Sequence, residues 1–453
     1  MLPKQLHYGS KVESAASRSY RSNIAPQSGT GPYNAGDTII INIPTRANLA
    51  LVPAESYLKF NLNITSGAAA NSFRLDSCGA HGIISRLRVF SGSNLLEDIA
   101  EYGLLAKILY DMQVATDSTY GKQTFSGTRS DLVVNVAATA TNVSVNQVNS
   151  GCLHANSPAV NAGATVSDTY CINLVSLMGS LCSSQYFPLW AATSAPIRLE
   201  LILAPQLINA CAVLVAAPVS TFTITNCEYV ANFIELGDSA MQTIYSSLGG
   251  EALQFCVPQW RNYQYNAQLA NGVATQVNMP IPAKFSSLKS LITTTRPNGA
   301  GATGFFPFSS NTQGINSFYW RVGPQVIPSK SPDNLPEMFM EAQKAMGSLS
   351  DLQYQPSIEK TSYTQSVPVA YTVESATTTS AVTSGSFYAA IDLENFAGAS
   401  KDSIFAGVNT NTDDVYFVPT YTSPVAVASC RFDAFAAFDG VLVFENGTSY
   451  IKF

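Results

Sequence analysis

The sequence is short of charge. Asp, Glu, Lys and Arg make up 12% of its 453 residues, about half of the roughly 25% that is usual in soluble domains. A surface with so few charges favours association, so we expect other subunits to cover much of it. The net charge of −6 also argues against a general nucleic-acid-binding protein, because such domains are usually basic.

Patterns typical of catalytic or metal sites are also scarce. The histidines are His7, His81 and His154, and none lies within helical or hairpin spacing of a second plausible ligand. Cys152 and His154 form a close pair, but a mononuclear site needs three or four convergent ligands. The sequence contains no GxSxG nucleophile elbow. We therefore expect no catalytic residues, no metal-binding or cofactor-binding residues, and no cofactor.

The cysteines do not form a CxxC pair anywhere in the sequence. In a chain of this length they indicate buried small hydrophobic residues in a reducing compartment rather than a disulfide framework. The first ten residues, MLPKQLHYGS, have no apolar core typical of a signal peptide. The longest apolar run, Cys211 to Val219, is far short of the ~20 residues that cross a bilayer. We expect a protein without a transmembrane segment, made in a cytosol.

What the sequence does contain is a long series of predicted strands. Its length exceeds the roughly 250–300 residues at which one core usually stops growing, so two domains are expected. Runs rich in β-branched and aromatic residues, bounded by Gly, Pro and Asn, indicate short strands throughout both halves. The clearest of these strands are predicted at 38–43, 57–64, 83–90, 196–205, 221–236, 253–264, 286–295, 315–322 and 386–393.

Three segments have helical periodicity instead. SNLLEDIAEYGLLAKILYDMQ, residues 93–113, predicts one amphipathic helix with Asn94 and Glu97 as a capping box. NLPEMFMEAQKAMGSL, residues 334–349, predicts a second helix with the same kind of start. GDSAMQTIYSSL, residues 237–248, predicts a short helix that is capped by Asp238 and ended by Gly249.

Two short patterns recur in the same order in the two halves. GIIS at 82–85 and GINS at 314–317 precede NLLE at 94–97 and NLPE at 334–337. The recurrence predicts a duplicated all-β domain with one helix in each copy. We expect two tandem eight-stranded jelly rolls, a double jelly roll, with one inserted amphipathic helix in each roll. The predicted divisions are an N-terminal arm (1–36), the first roll (37–236), a hinge helix (237–250) and the second roll (251–453).

This layout resembles that of double jelly-roll major capsid proteins of viruses. The segments SKVESAASRSYRSNIAPQSGTGPY and GDTIIINIPTRANLALVPAESYLKFNLNI look most like those of Polinton-like viruses and virophage-type double-stranded DNA viruses. The resemblance implies a structural protein that forms pseudo-hexagonal homotrimers in an icosahedral shell, assembled inside a host cell. It further implies lattice contacts between trimers, minor capsid and penton proteins as partners, and loop towers, for which 116–167, 296–314 and 398–414 are candidates.

The arm carries four cations, Lys4, Lys11, Arg18 and Arg21, against the single acid Glu13. These cations predict either a weak contact with packaged DNA or a clamp between subunits, and their number does not decide between the two.

Two other functions remain open at the level of sequence. A jelly-roll protein that binds a receptor or a carbohydrate, similar to a lectin or a spike, is the main alternative, and a cupin-like metalloenzyme is the weaker one. GAGATG at 299–304 matches GxGxxG, but the following FFPFSSNTQG lacks the helix that a dinucleotide site needs, so we expect a loop.

Overall fold

A computed structural model describes most of the chain. The described residues are 17–67, 73–113, 125–127, 162–183, 185–213, 219–249, 252–270, 272–297, 305–347, 356–369, 384–395, 406–422 and 429–453. Several predicted features lie outside these residues, namely His7, His154, Cys152, the GAGATG segment, and Lys4 and Lys11 of the arm.

The first half folds into two main antiparallel sheets. Its strands are β1 (Ser17–Ile24), β2 (Tyr33–Asn34), β3 (Thr38–Ile43), β4 (Leu49–Leu51), β5 (Tyr57–Thr65), β6 (Phe73–Leu75), β7 (Ile84–Ser91), β8 (Asn94–Ala100), β9 (Thr165–Ile172), β10 (Ile197–Leu203), β11 (Cys211–Val213) and β12 (Thr221–Leu236). One sheet has the order β1-β12-β5-β9 and the other has the order β3-β10-β7-β8. Each sheet turns one face toward a shared core, so β5 alternates between buried and half-exposed residues.

The second half repeats this arrangement. Its strands are β13 (Leu253–Ala267), β14 (Thr275–Gln276), β15 (Met279–Ile281), β16 (Leu288–Pro297), β17 (Ile315–Val322), β18 (Gln325–Ile327), β19 (Tyr388–Asp392), β20 (Val415–Tyr421), β21 (Cys430–Glu445) and β22 (Thr448–Lys452). The sheets have the orders β13-β21-β16-β19 and β14-β20-β17-β18.

The two halves therefore match in the order of the four main strands of each sheet. The pairs β1 and β13, β12 and β21, β5 and β16, and β9 and β19 occupy the same places in the first sheet of each half. The second sheets correspond in the same way, with β7-β8 and β17-β18 as equivalent hairpins. This confirms the predicted double jelly roll.

The helix predicted at 93–113 is wrong in its first half. Helix α1 spans Tyr102–Gln113, whereas Asn94–Ala100 is strand β8, paired with β7. Gly92, with φ +59°, closes a tight hairpin there, and the backbone pairing of that hairpin outweighs the helical spacing of the leucines. Asn94 caps no helix; its side-chain amide donates to the carbonyl oxygen of Ser449 at 3.1 Å.

The other two helices lie where they were predicted. Helix α2 spans Asp238–Leu248, between β12 and β13, and ends at Gly249 in the left-handed region, although its N-cap is Gly237 rather than Asp238. Helix α3 spans Leu335–Met346, and the Asn334 side chain accepts a hydrogen bond from the backbone N–H of Glu337 at 2.9 Å. The NLxE motif thus caps a helix in the second half and starts a strand in the first. A further turn of helix, α4, spans Lys360–Tyr363.

The predicted arm contains a strand of the first roll. Strand β1 pairs with β12 along its whole length, from Ser17 opposite Leu236 to Ile24 opposite Tyr229. Tyr20 packs against Phe233 with ring centroids 5.8 Å apart. No apolar alternation indicates this strand in the sequence, because β1 is polar and mostly exposed at the sheet edge.

The described residues at the three tower candidates do not all lie at the same end of the rolls. Thr165, at the start of β9, pairs with Thr65, and Pro297, at the end of β16, pairs with Cys430. The connection from α1 to β9 and the connection from β16 to β17 therefore join the strands at the end of the rolls where β12 and β21 begin. Residues 406–414 lie at the opposite end, where Val408 bridges Leu288. The described part of this candidate, 406–414, therefore lies at the other end of the rolls from the points where the other two connections join the strands.

Candidate functional site: the junction between the two rolls

Helix α1 lies between the two rolls and is buried on all sides. Leu105 and Leu109 belong to the core of the first roll. Lys107 and Asp111, on another face of the helix, contact residues that precede or begin β19 of the second roll. The outer face of the β13-β21-β16-β19 sheet joins the same core through a set of apolar residues: Val257, Trp260, Ile292, Tyr388, Ala390, Phe435, Leu442 and Phe444. The two rolls thus share one continuous apolar junction.

A buried ion cluster crosses this junction. Lys107 Nζ lies 2.9 Å from Asp111 Oδ2 and 3.5 Å from Asp76 Oδ1, and all three side chains are almost completely buried. Burial by itself lowers the pKa of Lys107, but the attraction of Asp111 and Asp76 outweighs it, so the pKa lies above its ordinary value. From the second roll, Ser386 and the Tyr388 hydroxyl both donate to Asp111, the latter at 2.6 Å.

A second ion cluster lies near the start of α1. Glu101, with φ +51°, turns the chain from β8 into α1. Its carboxylate accepts from Arg296 at 2.8 Å and lies 2.9 Å from Arg431, both of the second roll. Burial raises the pKa of Glu101, but the two guanidinium groups lower it by more, so the net shift is downward. Arg296 also donates to Asp433 at 2.8 Å. Glu101, Arg296 and Arg431 line a cavity of about 370 Å³ that lies between the rolls.

Two glycines of the first roll admit a phenylalanine of the second. A Cβ on Gly82 or on Gly103 would lie 2.8 Å from the ring of Phe308, closer than real Cβ contacts allow. Gly82 belongs to the GIIS motif. Packing requires glycine at this position, because a side chain there would overlap the ring of Phe308. Its counterpart Gly314 has a different reason to be glycine, because its φ is +82°.

The opposite end of the junction is held by hydrogen bonds from backbone N–H groups. The backbone N–H of Ser194 donates to the carbonyl oxygen of Gly447 at 2.9 Å, and the backbone N–H of Ser449 donates to Ser91 Oγ at 3.3 Å. Gly447 and Ser449 lie on the β21–β22 hairpin of the second roll. The rolls are therefore joined at both ends and lie side by side in the same orientation.

The described histidine and cysteines lie at buried or half-buried positions. His81 is buried, and its two ring nitrogens lie 2.9 and 3.1 Å from the hydroxyls of Tyr102 and Tyr110 of α1. Five of the seven described cysteines are buried and two are half-buried, and burial raises the pKa of Cys182 to about 12. Within the described residues, no group of three or more His, Cys, Asp or Glu side chains could hold a metal ion. None of the described helices has the length and apolar character to span a membrane.

The sequence did not reveal the two ion clusters, because their members are far apart along the chain. One signal was present: Lys107 and Asp111 lie four residues apart in a helix that is otherwise almost entirely apolar. A charged pair at that spacing on a buried helix indicates a buried ion pair.

Glu97 should make stability depend on pH. Its side chain points into the first roll, where it accepts from Ser176 Oγ and from the backbone N–H of Leu177. Burial raises the pKa of Glu97 from 4.5 to about 7, and the two hydrogen bonds only partly oppose the shift. As pH rises, the Glu97 carboxyl loses its proton at a lower pH in the unfolded chain than in the folded chain. The contribution of Glu97 to the free energy of unfolding is therefore full below pH 4.5 and is lost as pH rises to about 7.

We expect this loss to amount to about 3 kcal/mol. Urea unfolding between pH 4.5 and 8 should show it as the difference between the chain and its Glu97→Gln variant, which stays neutral. The same exchange at an exposed carboxyl, Glu359→Gln, controls for the removal of one negative charge. A difference between the chain and Glu97→Gln that does not change with pH would contradict the assignment.

Comparison by sequence finds no relatives: no protein-family model matches the chain, and no curated protein does. Comparison by structure does find them. The PBCV-1 virus capsid matches with a TM-score of 0.61 at 9% identity, covering 97% of this chain and 98% of that one. A chain of the Sputnik virophage matches with a TM-score of 0.57 at 10% identity, covering 100% and 92%. The mavirus major capsid protein matches with a TM-score of 0.55 at 14% identity, covering 100% and 95%.

These matches run through both rolls and through nearly the full length of each similar chain. At identities this low they show a shared fold, and the fold is the double jelly roll that the sequence resemblance implied.

Proposed function

We propose that this chain is a structural capsid subunit that self-assembles, as a homotrimer, into the icosahedral shell of a double-stranded DNA virus. The observation that carries the proposal is the pair of equivalent rolls, fixed side by side over a buried junction, in the fold of viral capsid chains along almost the whole length. Such a subunit needs rigidity and self-complementary surfaces rather than a reactive site. The proposed location is the virion shell, with assembly inside the host cell.

The low charge of the chain supports this role. A chain with only 12% charged residues has few charges to keep a free monomer soluble, and its surface suits extensive subunit contacts. Obligate contacts of this kind bury of the order of 2,000–5,000 Å². Minor capsid and penton proteins are the further partners that we propose for the assembled lattice.

A direct test is to express the full chain alone and to examine the product by gradient centrifugation and electron microscopy. We expect closed shells or ordered arrays of trimers. A protein that remains monomeric and binds carbohydrates on a glycan array would instead support the receptor-binding or lectin-like alternative, and would contradict the capsid proposal.

The arm is proposed to make its contacts through residues 1–16. Arg18 and Arg21 lie on β1, and the Arg21 guanidinium lies 5.8 Å from the ring centre of Tyr57, so these two cations belong to the roll. Deletion of residues 1–16 therefore tests the arm, whereas a deletion through residue 30 would also remove a strand. We expect the shorter deletion to lower the yield and heat resistance of shells, and unchanged values would rule out this role.

A further inference from the structure

The cavity of about 370 Å³ between the rolls lies at the end where β21 begins, since Arg296 on its wall pairs with Arg431. Its volume is within the roughly 300–1,000 Å³ of pockets that hold small organic ligands. Both rolls contribute polar and apolar side chains to its wall, among them Glu101, Pro205, Asn209, Arg296, Phe308 and Arg431. The cavity is therefore large enough for an organic molecule, which would contact both rolls.

Arg431 has a nitrogen whose N–H groups the protein does not use. Its Nε and Nη2 donate to Asp433 Oδ1 at 3.2 and 2.9 Å, and Nη2 also lies 2.9 Å from Glu101 Oε1. Its Nη1 makes no hydrogen bond within the described part of the chain. Because Arg431 lines the cavity and its side chain is 24% exposed, Nη1 is a charged donor that is available at the cavity wall.

A second unused donor comes from the first roll. Asn209 ends the short helical turn Leu207–Asn209, is half-buried and lines the cavity. Its side-chain amide makes no hydrogen bond to any of the residues that the structure describes, although it carries two N–H donors. Two donors without acceptors in the protein, one from each roll, thus line the same cavity.

The charged groups on the cavity wall offer more donors than acceptors. Arg296 and Arg431 line the cavity together with Glu101, whose two carboxylate oxygens already lie 2.8 and 2.9 Å from these guanidinium groups. Asp433, which accepts from both arginines, is completely buried and is not among the lining residues. A ligand group with one negative charge can accept the unused donors, whereas a group with two charges would be repelled more strongly by Glu101.

Much of the remaining wall is apolar. Pro205 of the first roll and Pro307 and Phe308 of the second roll line the cavity. Arg296 Nη1 donates to the carbonyl oxygen of Pro307 at 3.1 Å, which holds this apolar residue beside the charged groups. An inorganic anion would leave the three rings uncovered, whereas an organic acid would cover them with its apolar body.

We propose that this cavity binds a small organic monocarboxylate. Its carboxylate accepts from Arg431 and from the Asn209 amide, because a planar guanidinium group matches the geometry of a carboxylate. Its apolar body lies against Pro205, Pro307 and Phe308. The ligand contacts both rolls and binds the folded chain alone, so it stabilises their junction by mass action.

Phenylacetate is the probe for this site, because it joins one carboxylate to one compact ring. Phenylacetamide has nearly the same shape without the charge, and acetate has the charge without the ring. We expect isothermal titration calorimetry of the full chain to show saturable binding of one phenylacetate per chain, with phenylacetamide weaker by about tenfold or more. Acetate should also bind more weakly than phenylacetate, and phenylacetate should raise the midpoint of thermal unfolding.

Two substitutions locate the binding. Arg431→Gln removes the charged donor and should weaken phenylacetate binding by about tenfold or more. Asn209→Leu removes the second donor at a half-buried position without an ion pair, so this variant keeps the test open if Arg431→Gln does not fold, and it should also bind more weakly. Arg321→Gln and Asn42→Leu make the same exchanges at exposed positions outside the cavity, and both should bind phenylacetate like the wild type.

Three results would overturn the proposal: no binding of phenylacetate to the wild type, equal binding of phenylacetate and phenylacetamide, or unchanged affinity in either cavity variant that folds. Circular dichroism of each variant verifies the fold. The site does not depend on assembly, so its failure would leave the proposed function intact. A monomeric wild-type chain that binds phenylacetate would overturn the proposed function alone.

Discussion

Replacing Lys107 by Met will destabilise the chain by about 3–5 kcal/mol, the cost of leaving a buried charge without its partner. The substitution removes the cation that neutralises Asp76 and Asp111, both 1% exposed, while it keeps most of the side-chain volume. Because the cluster bridges both rolls, the effect should appear as a lower midpoint of urea unfolding and as faster hydrogen exchange in α1.

A second substitution shows whether charge is the cause. Adding Asp111→Asn to Lys107→Met removes one of the stranded carboxylates, and we expect the double variant to be more stable than Lys107→Met alone. Lys284→Met is the matched control, since this exposed lysine pairs with the exposed Asp414 at 3.0 Å and such pairs contribute about 0–1 kcal/mol. An equal loss in Lys107→Met and Lys284→Met would contradict the account of the cluster.

Replacing Phe308 by Ala will have a similarly large effect, also about 3–5 kcal/mol. The ring is 5% exposed and lies against Gly82 and Gly103 of the other roll, so its removal leaves a cavity in the junction itself. The reverse change, Gly103→Ala, brings a methyl group into the space of the ring and should destabilise by about 1–3 kcal/mol.

The two changes should not add. In the combined variant, the alanine methyl group at 103 still lies 2.9 Å from the Cα of Gly82 but no longer meets the ring. The double variant should therefore lose less stability than the sum of the single losses. Tyr186→Ala, at a residue that is 61% exposed, controls for the loss of an aromatic ring. Strict additivity of the two junction variants, measured by urea unfolding at one protein concentration, would show that Phe308 does not pack between these glycines.

Much of the fold could be predicted from the sequence, because several elements have strong local signals. Strand β5 alternates apolar and polar residues along its whole length, and α3 begins with a capping box at Asn334 and Glu337. The recurrence of GIxS marked equivalent hairpins in the two rolls. These features depend on neighbouring residues, which is why sequence patterns detect them.

The errors occurred where contacts distant in the chain outweighed the local pattern. Asn94–Ala100 has helical spacing, yet it forms β8 because it pairs with β7 across the turn at Gly92. Strand β1 has little apolar character, and its position depends on pairing with β12, more than two hundred residues later. Arg296 and Arg431, the partners of Glu101, come from the second roll. Tyr388, which donates to Asp111, also comes from the second roll, so no local pattern indicates these contacts.

The tower candidates illustrate the same limit. Length and polarity single out 116–167, 296–314 and 398–414 as long loops, but they do not indicate the end of the roll from which each loop leaves. That end depends on strand direction within the sheets, and the pairing of Val408 with Leu288 places 406–414 at the opposite end from the other two.

The most direct measurement is the mass and the projected shape of the purified full chain, obtained by mass photometry and electron microscopy on the same sample. The account predicts particles of three times 48.3 kDa whose averaged views show six lobes around a threefold axis, two lobes from each chain. Particles of a single chain mass at micromolar concentration, or an assembly whose lobes are not arranged as equivalent pairs, would contradict it.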